Sequence, residues 1–413
     1  MADITIIGAG IIGVNVALAL QKKGFDTLIV DQNEPAHGCS SGNAGVIASY
    51  GVTPVSMPGL WKQVPNMLFK PDGPLSIRRQ HLLRLLPWLY RFWRCARPDI
   101  VQRNSVALAQ LVQHGLQDYL QITQAAGIGH LLKPSPVLAV YGSQADFERD
   151  HQVWRLRQEQ GVRWETIQEE ALHDLEPALS DKLNFAVMLQ NTGFVVDPQL
   201  FTQALFNEYI NKGGRYQRLK VNALQPDECG VTLVTSTDPL KAKQVVVACG
   251  AFSALLAQGL GEKIPLEQER GYHITLSDFK GLPPRHAIIS PAHKVIATPM
   301  QPGLRIAGMV EFGGFLPPNF KRSLILHQQL LALFPTIEKG SYTQWMGHRP
   351  TLPDSVPVID RSAASANIFY AFGHQHVGLT SGPMTARLIT EMIEGVEPTV
   401  DITPYRASRF SAF

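Results

Sequence analysis

The amino-acid sequence predicts an α/β protein in which a Rossmann-like nucleotide-binding unit is interrupted by an α+β unit built on an antiparallel sheet. Three observations point there. A strand, a glycine-rich turn, a helix and a second strand open the chain; a buried strand and a helix close it; short alternating runs broken by Pro and Gly lie between. At 413 residues, 45% hydrophobic and 17% charged, the chain exceeds one core and is too apolar to stay disordered.

Taken in order, residues 4–7 form an apolar run that meets glycine at once, residues 11–20 carry apolar positions at helical spacing, and residues 27–30 make a second apolar run. Residues 82–126 read as mostly helical with breaks at Pro87 and Pro98, joined to the first unit by a Pro- and Gly-rich connection over 53–74. Strand-like 137–141 and helical 199–210 follow, then 244–248 as a buried strand. Residues 271–309 alternate as an antiparallel sheet does, 369–372 give a last strand and 380–393 a last helix. The expected division is 1–85, 150–253 and 347–413 for the nucleotide unit, and 86–149 with 254–346 for a substrate-binding unit.

The net charge of +3 is too mild for a nucleic-acid binder and favours a neutral or anionic small molecule. Cys39, Cys95, Cys229 and Cys249 form no CxxC pair, so neither a metal site nor a disulfide framework is expected, and reduced thiols suit a cytoplasmic-type setting. The first residues pass straight into a strand pattern and no apolar run reaches the ~18 residues of a membrane span. A soluble or peripherally attached protein is the expectation.

Gly8-Ala9-Gly10-Ile11-Ile12-Gly13 has G-x-G-x-x-G spacing after a strand and at the start of a helix, the context that gives the pattern meaning. Gly8 permits the tight turn, Gly10 lets a pyrophosphate approach the backbone, and Gly13 lets helix and strand pack closely. Free N–H groups of the helix start, Ile11 and Ile12 included, then face the dianion. Asp31 ends the second strand, where a carboxylate accepts from a ribose diol and disfavours a 2′-phosphate. NAD and FAD both remain open on these residues alone. Soon after comes Cys39-Ser40-Ser41-Gly42-Asn43-Ala44-Gly45, small and rich in N–H groups, which can let a flat ring system lie against the backbone.

Further segments extend the pattern: Gly193-Phe194-Val195-Val196-Asp197-Pro198, Val247-Ala248-Cys249-Gly250-Ala251-Phe252-Ser253, Glu269-Arg270-Gly271-Tyr272, Met346-Gly347-His348-Arg349-Pro350, and Gly373-His374-Gln375-His376-Val377-Gly378-Leu379-Thr380. In this order they resemble the D-amino acid oxidase-like superfamily of flavoenzymes. Cys249 and Phe252 depart from its A-T-G-A-W-S turn. Within the superfamily, Ser49-Tyr50-Gly51 and Val310-Glu311-Phe312-Gly313-Gly314 look most like the D-amino acid dehydrogenase branch, and the Gly-His-Gln-His form is similar to enzymes acting on D-proline or hydroxy-D-proline. The resemblance implies a glutathione-reductase-type domain holding non-covalent FAD, since no cysteine follows Cys249. Its cofactor-binding set is Gly8, Gly10, Ile11, Ile12, Gly13, Asp31, Gln32, Ser40, Ser41, Asn43, Ala44, Gly45, Val221, Cys249, Gly250, Gly373, Gly378, Leu379 and Thr380.

Oxidation of an amino acid at its α-carbon moves a hydride to flavin N5 and requires the substrate carboxylate to be neutralised. A guanidinium does this with two parallel hydrogen bonds, and Arg349 matches the carboxylate-binding position implied by the resemblance. An ion pair with Asp354 is the structural alternative. Tyr272 and Tyr50 are candidate pocket phenols, His374 and His376 candidate site imidazoles, each also explicable as packing. The amides of Gly378, Leu379 and Thr380 start a helix where the reduced flavin develops negative charge. The products would be an imino acid, then a 2-oxo acid, with oxygen, a quinone or a redox protein as acceptor. A glycine- or sarcosine-type oxidase and an FAD-binding electron-transfer subunit are the rival readings.

One segment bears on the acceptor. Residues 73–98 mix Arg78, Arg79, Arg84, Arg91, Arg94 and Arg97 with leucines, Trp88, Tyr90, Phe92 and Trp93, and hold no Asp or Glu. That composition suits either a lipid headgroup surface or a helix packed over the second unit with arginines in solvent.

Overall fold

Residues 2–70, 73–338 and 340–411 are described by the computed structural model; Met1, Pro71, Asp72, Lys339, Ala412 and Phe413 lie outside the described residues. Ala2–Ile7 is the centre of a parallel sheet, with Thr27–Asp31 then Arg215–Arg218 on one side and Leu240–Val247 on the other. The second half of Leu240–Val247 pairs in parallel with Ile368–Phe372, whose far edge takes Val358–Arg361 antiparallel. Its first half pairs antiparallel with Gly230–Thr235, which returns as Val221–Asp227. The central strands are apolar on both faces because both are covered. Helices Ile11–Lys22, Pro198–Asn211 and Gly378–Glu394 pack together on one side.

A second, mostly antiparallel sheet runs Ser341–Thr351, Glu267–Ser277, Gly303–Phe312, Val295–Met300, Ala287–Ser290, Val137–Tyr141, Phe185–Leu189, Trp164–Gln168, with Leu75–Ile77 added beside Gly303–Phe312. Helix Lys321–Leu333 seals one of its faces through Leu326, Leu330 and Leu333. Val46–Ile47, Gly193–Val195 and Leu132–Pro134 form a small third sheet.

Three expectations are corrected. Helices Pro98–Val112 and Gly115–Ala125 bury Leu108, Leu111, Leu116 and Tyr119 against the last helix, so 98–125 packs with the nucleotide unit. Conversely 75–77, 164–189 and 347–351, each placed in the nucleotide unit by the sequence, contribute to strands of the antiparallel sheet. An apolar face announces that it needs a cover, not which core supplies one. The helix Arg79–Cys95 runs through Pro87, whose ring sits on the exposed side, whereas Pro98 starts the next helix, where its missing N–H costs nothing. The Pro- and Gly-rich connection contains a helix, Leu60–Phe69.

Candidate active site

Gly8 turns the chain at φ +119°, and a Cβ there would collide with the Ala248 carbonyl; at Gly13 a Cβ would run into the Gly8 carbonyl. The backbone therefore forms a cradle that side chains would fill. Asp31 accepts from the Ala9 amide at 2.8 Å and the Asn33 amide at 2.9 Å, and Ser40 Oγ accepts from the Ile11 amide at 2.9 Å. Gly8, Gln32, Cys249, Gly250 and Gly373 each follow the carboxyl end of a parallel strand, the crevice where open α/β sheets bind ligands. Val221 lies beside it, two residues beyond Leu219, whose amide donates to the Asp31 carbonyl at 2.7 Å. Thr380 Oγ1 accepts from the Ala48 amide at 2.8 Å, tying the start of the last helix, with Gly378 and Leu379, to the chain just past the small-residue loop. These features suit a dinucleotide such as FAD.

That loop docks on the second sheet. His273 Nδ1–H donates to the Gly42 carbonyl at 2.8 Å, Thr298 Oγ1 to that of Ala44 at 2.8 Å, and Arg305 Nη1 to those of Asn43 at 2.9 Å and Ser41 at 3.3 Å. Within it, Asn43 Oδ1 accepts from the Gly45 amide and Ser41 Oγ donates to the Gly38 carbonyl. Burial pulls the Arg305 guanidinium down to about 10, with Asp197 opposing, and drives His273 down to about 3 with help from Arg305. Two buried cation-type side chains thus hold carbonyls, one as a neutral imidazole.

Strand alternation puts Glu269, Gly271 and His273 on that same face, and the register sets Arg349, Gly347 and Trp345 directly opposite them. The Arg349 guanidinium lies flat over Gly271, where a Cβ would overlap it. It donates to Glu269 Oε1 at 2.6 Å and to the Met309 carbonyl at 3.0 Å. A bulge makes the second contact: the ladder shifts between Arg270 and Tyr272, and Met309 takes φ +61°. His376 Nε2 meets the same Glu269 oxygen at 2.8 Å. Burial alone would raise the Glu269 carboxyl, but His376 and Arg349 hold it down at about 2. Glu269 is 4% exposed, Arg349 22% and His376 43%, so the carboxylate is the floor of the cluster and the two donors reach outward.

Other candidates sit elsewhere. Tyr272 is on the opposite face, buried, its hydroxyl donating to Glu311 and accepting from the Asn319 amide at 3.0 Å, because an even offset from Arg270 fixes which face it takes. Tyr50 packs beneath Arg157, 5.3 Å from its ring, and burial pushes its phenol up to about 12. His374 is buried under the last helix against Thr385 Oγ1 at 3.0 Å, burial driving it down to about 3. Asp354 pairs with Arg409 at 2.7 Å, not with Arg349. Cys249 Sγ lies 3.4 Å from Ser253 Oγ, its thiol raised to about 11 by burial. Glu269, His273, Arg305 and Trp345 escaped the sequence reading; the alternation that groups Glu269 with Gly271 was legible, but its pairing with Arg349, 80 positions away, was not. A surface hollow of about 470 Å³ lined by His130, Lys133, Pro284 and Met300 holds none of this cluster.

The model of the FAD dependent oxidoreductase family, DAO, matches residues 3–392. The chain belongs to that family. It is 34% identical to a D-amino-acid oxidase of Bradyrhizobium diazoefficiens across 98% of both chains, and 27% identical to a D-amino acid dehydrogenase of Rhizobium johnstonii across 98% of this chain and 99% of that one. Among solved structures, glycine oxidase from Geobacillus kaustophilus superposes with TM-score 0.74 at 19% identity, covering 99% of this chain and 98% of its own. L-Proline dehydrogenase from P. horikoshii gives 0.74 at 16%, covering 100% and 98%; these two likenesses establish the fold. This DAO-family member is an FAD-dependent oxidoreductase with a mixed α/β architecture. No helix among its described residues is long and apolar enough to cross a membrane.

Proposed function

We propose that the enzyme dehydrogenates a small D-amino acid at the bond between its α-carbon and nitrogen. One observation carries this reading: Arg349 lies on the face that meets the small-residue loop, 22% exposed, with Nη1 held by Glu269 and the Met309 carbonyl and Nη2 also on the Gly308 carbonyl at 3.4 Å, which leaves the Nε and remaining Nη2 donors. A substrate carboxylate would take two of those donors, as guanidinium geometry favours. Glu269, already below its ordinary range, stays ionised and keeps the guanidinium from turning away.

Bound FAD supplies the two-electron acceptor. The α-hydrogen leaves with its electron pair, the nitrogen lone pair closes a C=N bond, and the amine must arrive without its extra proton. His376, on Glu269 and the most exposed of the three, lines the open side of the cluster where the amine enters. A primary imine then adds water to give a 2-oxo acid and ammonia, whereas a D-proline or hydroxy-D-proline substrate stops at a cyclic imine. D-stereochemistry is supported by the names of the two sequence relatives above. The acceptor is oxygen, a quinone or a redox protein, and contact with a membrane surface would favour a quinone.

Anaerobic mixing of the yellow protein with D- and L-amino acids, D-proline, hydroxy-D-proline, glycine and sarcosine tests the reading. Bleaching of flavin absorbance by D-substrates is expected; bleaching by glycine or sarcosine with peroxide release in air would favour the oxidase instead. No bleaching by any of them would leave an FAD-binding electron-transfer subunit.

A further inference from the structure

A surface helix of a globular protein buries one apolar stripe and turns a polar face outward. Helix Arg79–Cys95 does not. Leu85, Trp88, Phe92 and Cys95 form its buried stripe, packed on Phe312 of the second sheet. On the opposite side Leu82, Leu83, Leu86, Tyr90 and Trp93 are exposed, Leu83 by 80%. The helix is apolar on both faces, and only one of them is covered.

The neighbouring helix Leu60–Phe69 buries none of its residues. It leans on the first through Trp61, 6.1 Å from Phe92, and ends in Phe69, 84% exposed. Lys62, Lys70, Arg79 and Arg84 are exposed around the apolar face. Across residues 55–98 there are eight Lys and Arg and a single acidic residue, Asp72, which lies outside the described residues. Arg94 lies 5.9 Å from the Tyr90 ring, and Tyr90 6.1 Å from Trp93.

We infer that these two helices form a docking surface for an anionic lipid bilayer. Leucines enter the acyl boundary, Tyr90 and Trp93 occupy headgroup depth, and the basic rim meets lipid phosphates. The helix lies in the plane of the interface, since neither helix is long enough to span it. A protein partner would need carboxylates to face this rim, and a second copy of the chain would set arginines against arginines. His81, in the first turn of the docking helix, bonds Glu267 at 3.0 Å, two residues along the strand from Glu269, so the surface borders the Arg349 cluster. The inference rests on the proposed function only for its consequence, access to a lipid-soluble acceptor.

Flotation of the FAD-loaded full-length enzyme on phosphatidylcholine vesicles, with and without phosphatidylglycerol, tests it. Binding to the anionic vesicles, weakened by salt, is expected. Arg84→Glu, which reverses one charge, should weaken partitioning by about fivefold or more, and Leu83→Asp with Leu86→Asp by more than about tenfold. Both variants should keep FAD content and melting temperature. Wild-type enzyme that stays with the bulk solution, or variants that float equally well, would overturn the surface; binding indifferent to phosphatidylglycerol would overturn its headgroup partner. A dimer dissolved by the leucine substitutions, without flotation, would give the face to a second copy. None of these readouts needs a substrate, so failure of the substrate reading shows separately in the anaerobic mixing.

Discussion

Two ionic clusters sit back to back across the strand Glu267–Ser277, one reaching to Gly303–Phe312 and the other to Ser341–Thr351. On the back face, fully buried Arg270 gives its guanidinium to the carbonyls of Gly313, Gly314, Leu316 and Pro317, while Glu311 takes Arg78 at 2.5 Å, Arg270 at 3.7 Å and the Tyr272 hydroxyl. On the front face, Arg349 shares one carboxylate with His376 and keeps an outward edge. Each sets arginine against a buried glutamate. What separates the two guanidiniums is access: Arg270 is wholly buried with its donors on chain carbonyls, whereas Arg349 is 22% exposed.

The largest effect expected from that contrast is on Arg349→Ala. Its kcat/KM on D-amino acids should fall about ten-thousandfold, about 5 kcal/mol, with FAD retained; a loss under tenfold in steady-state assays would break the comparison. Next comes Glu311→Ala on the back face, which leaves Arg78 and Arg270 without their anion and should cost about 3–4 kcal/mol in chemical denaturation, with KM little changed in whatever folds.

The front carboxylate carries a pH signature. Glu269 is held at about 2 against an ordinary value near 4.5, so its contribution, about 3 kcal/mol, is complete above pH 4.5 and disappears as pH falls toward 2. Glu269→Gln should remove that part of the acid dependence and raise KM more than it lowers kcat; an unchanged acid denaturation curve would count against the pairing. Smallest is Tyr272→Phe, expected to cost about 1 kcal/mol of stability with kcat intact, because its hydroxyl serves Glu311 and the Asn319 amide. A hundredfold drop in kcat would bring Tyr272 back to the site.

Much of the nucleotide unit was legible: the Gly8 to Gly13 spacing, Asp31 closing the second strand, and the last strand and helix are local patterns whose causes lie within a few residues of each other. The candidate site was legible in pieces. Arg349 stood out through its segment, and His376 through its neighbours, yet nothing local distinguished His376 from His374, two residues away, or Tyr272 from a pocket tyrosine. Those distinctions depend on which face a strand or loop turns toward which partner.

By itself the sequence determined what short range controls: glycines where a Cβ would strike a carbonyl, apolar periods that make strands and helices, and a helix with arginines and aromatics but no acid. Only the tertiary structure decided that Glu269 meets Arg349 and His376, that helices 98–125 join the first core, and that the outer face of Arg79–Cys95 stays uncovered. Pattern fixes the period of an element, but burial is a property of two surfaces, and the second surface comes from residues tens to hundreds of positions away.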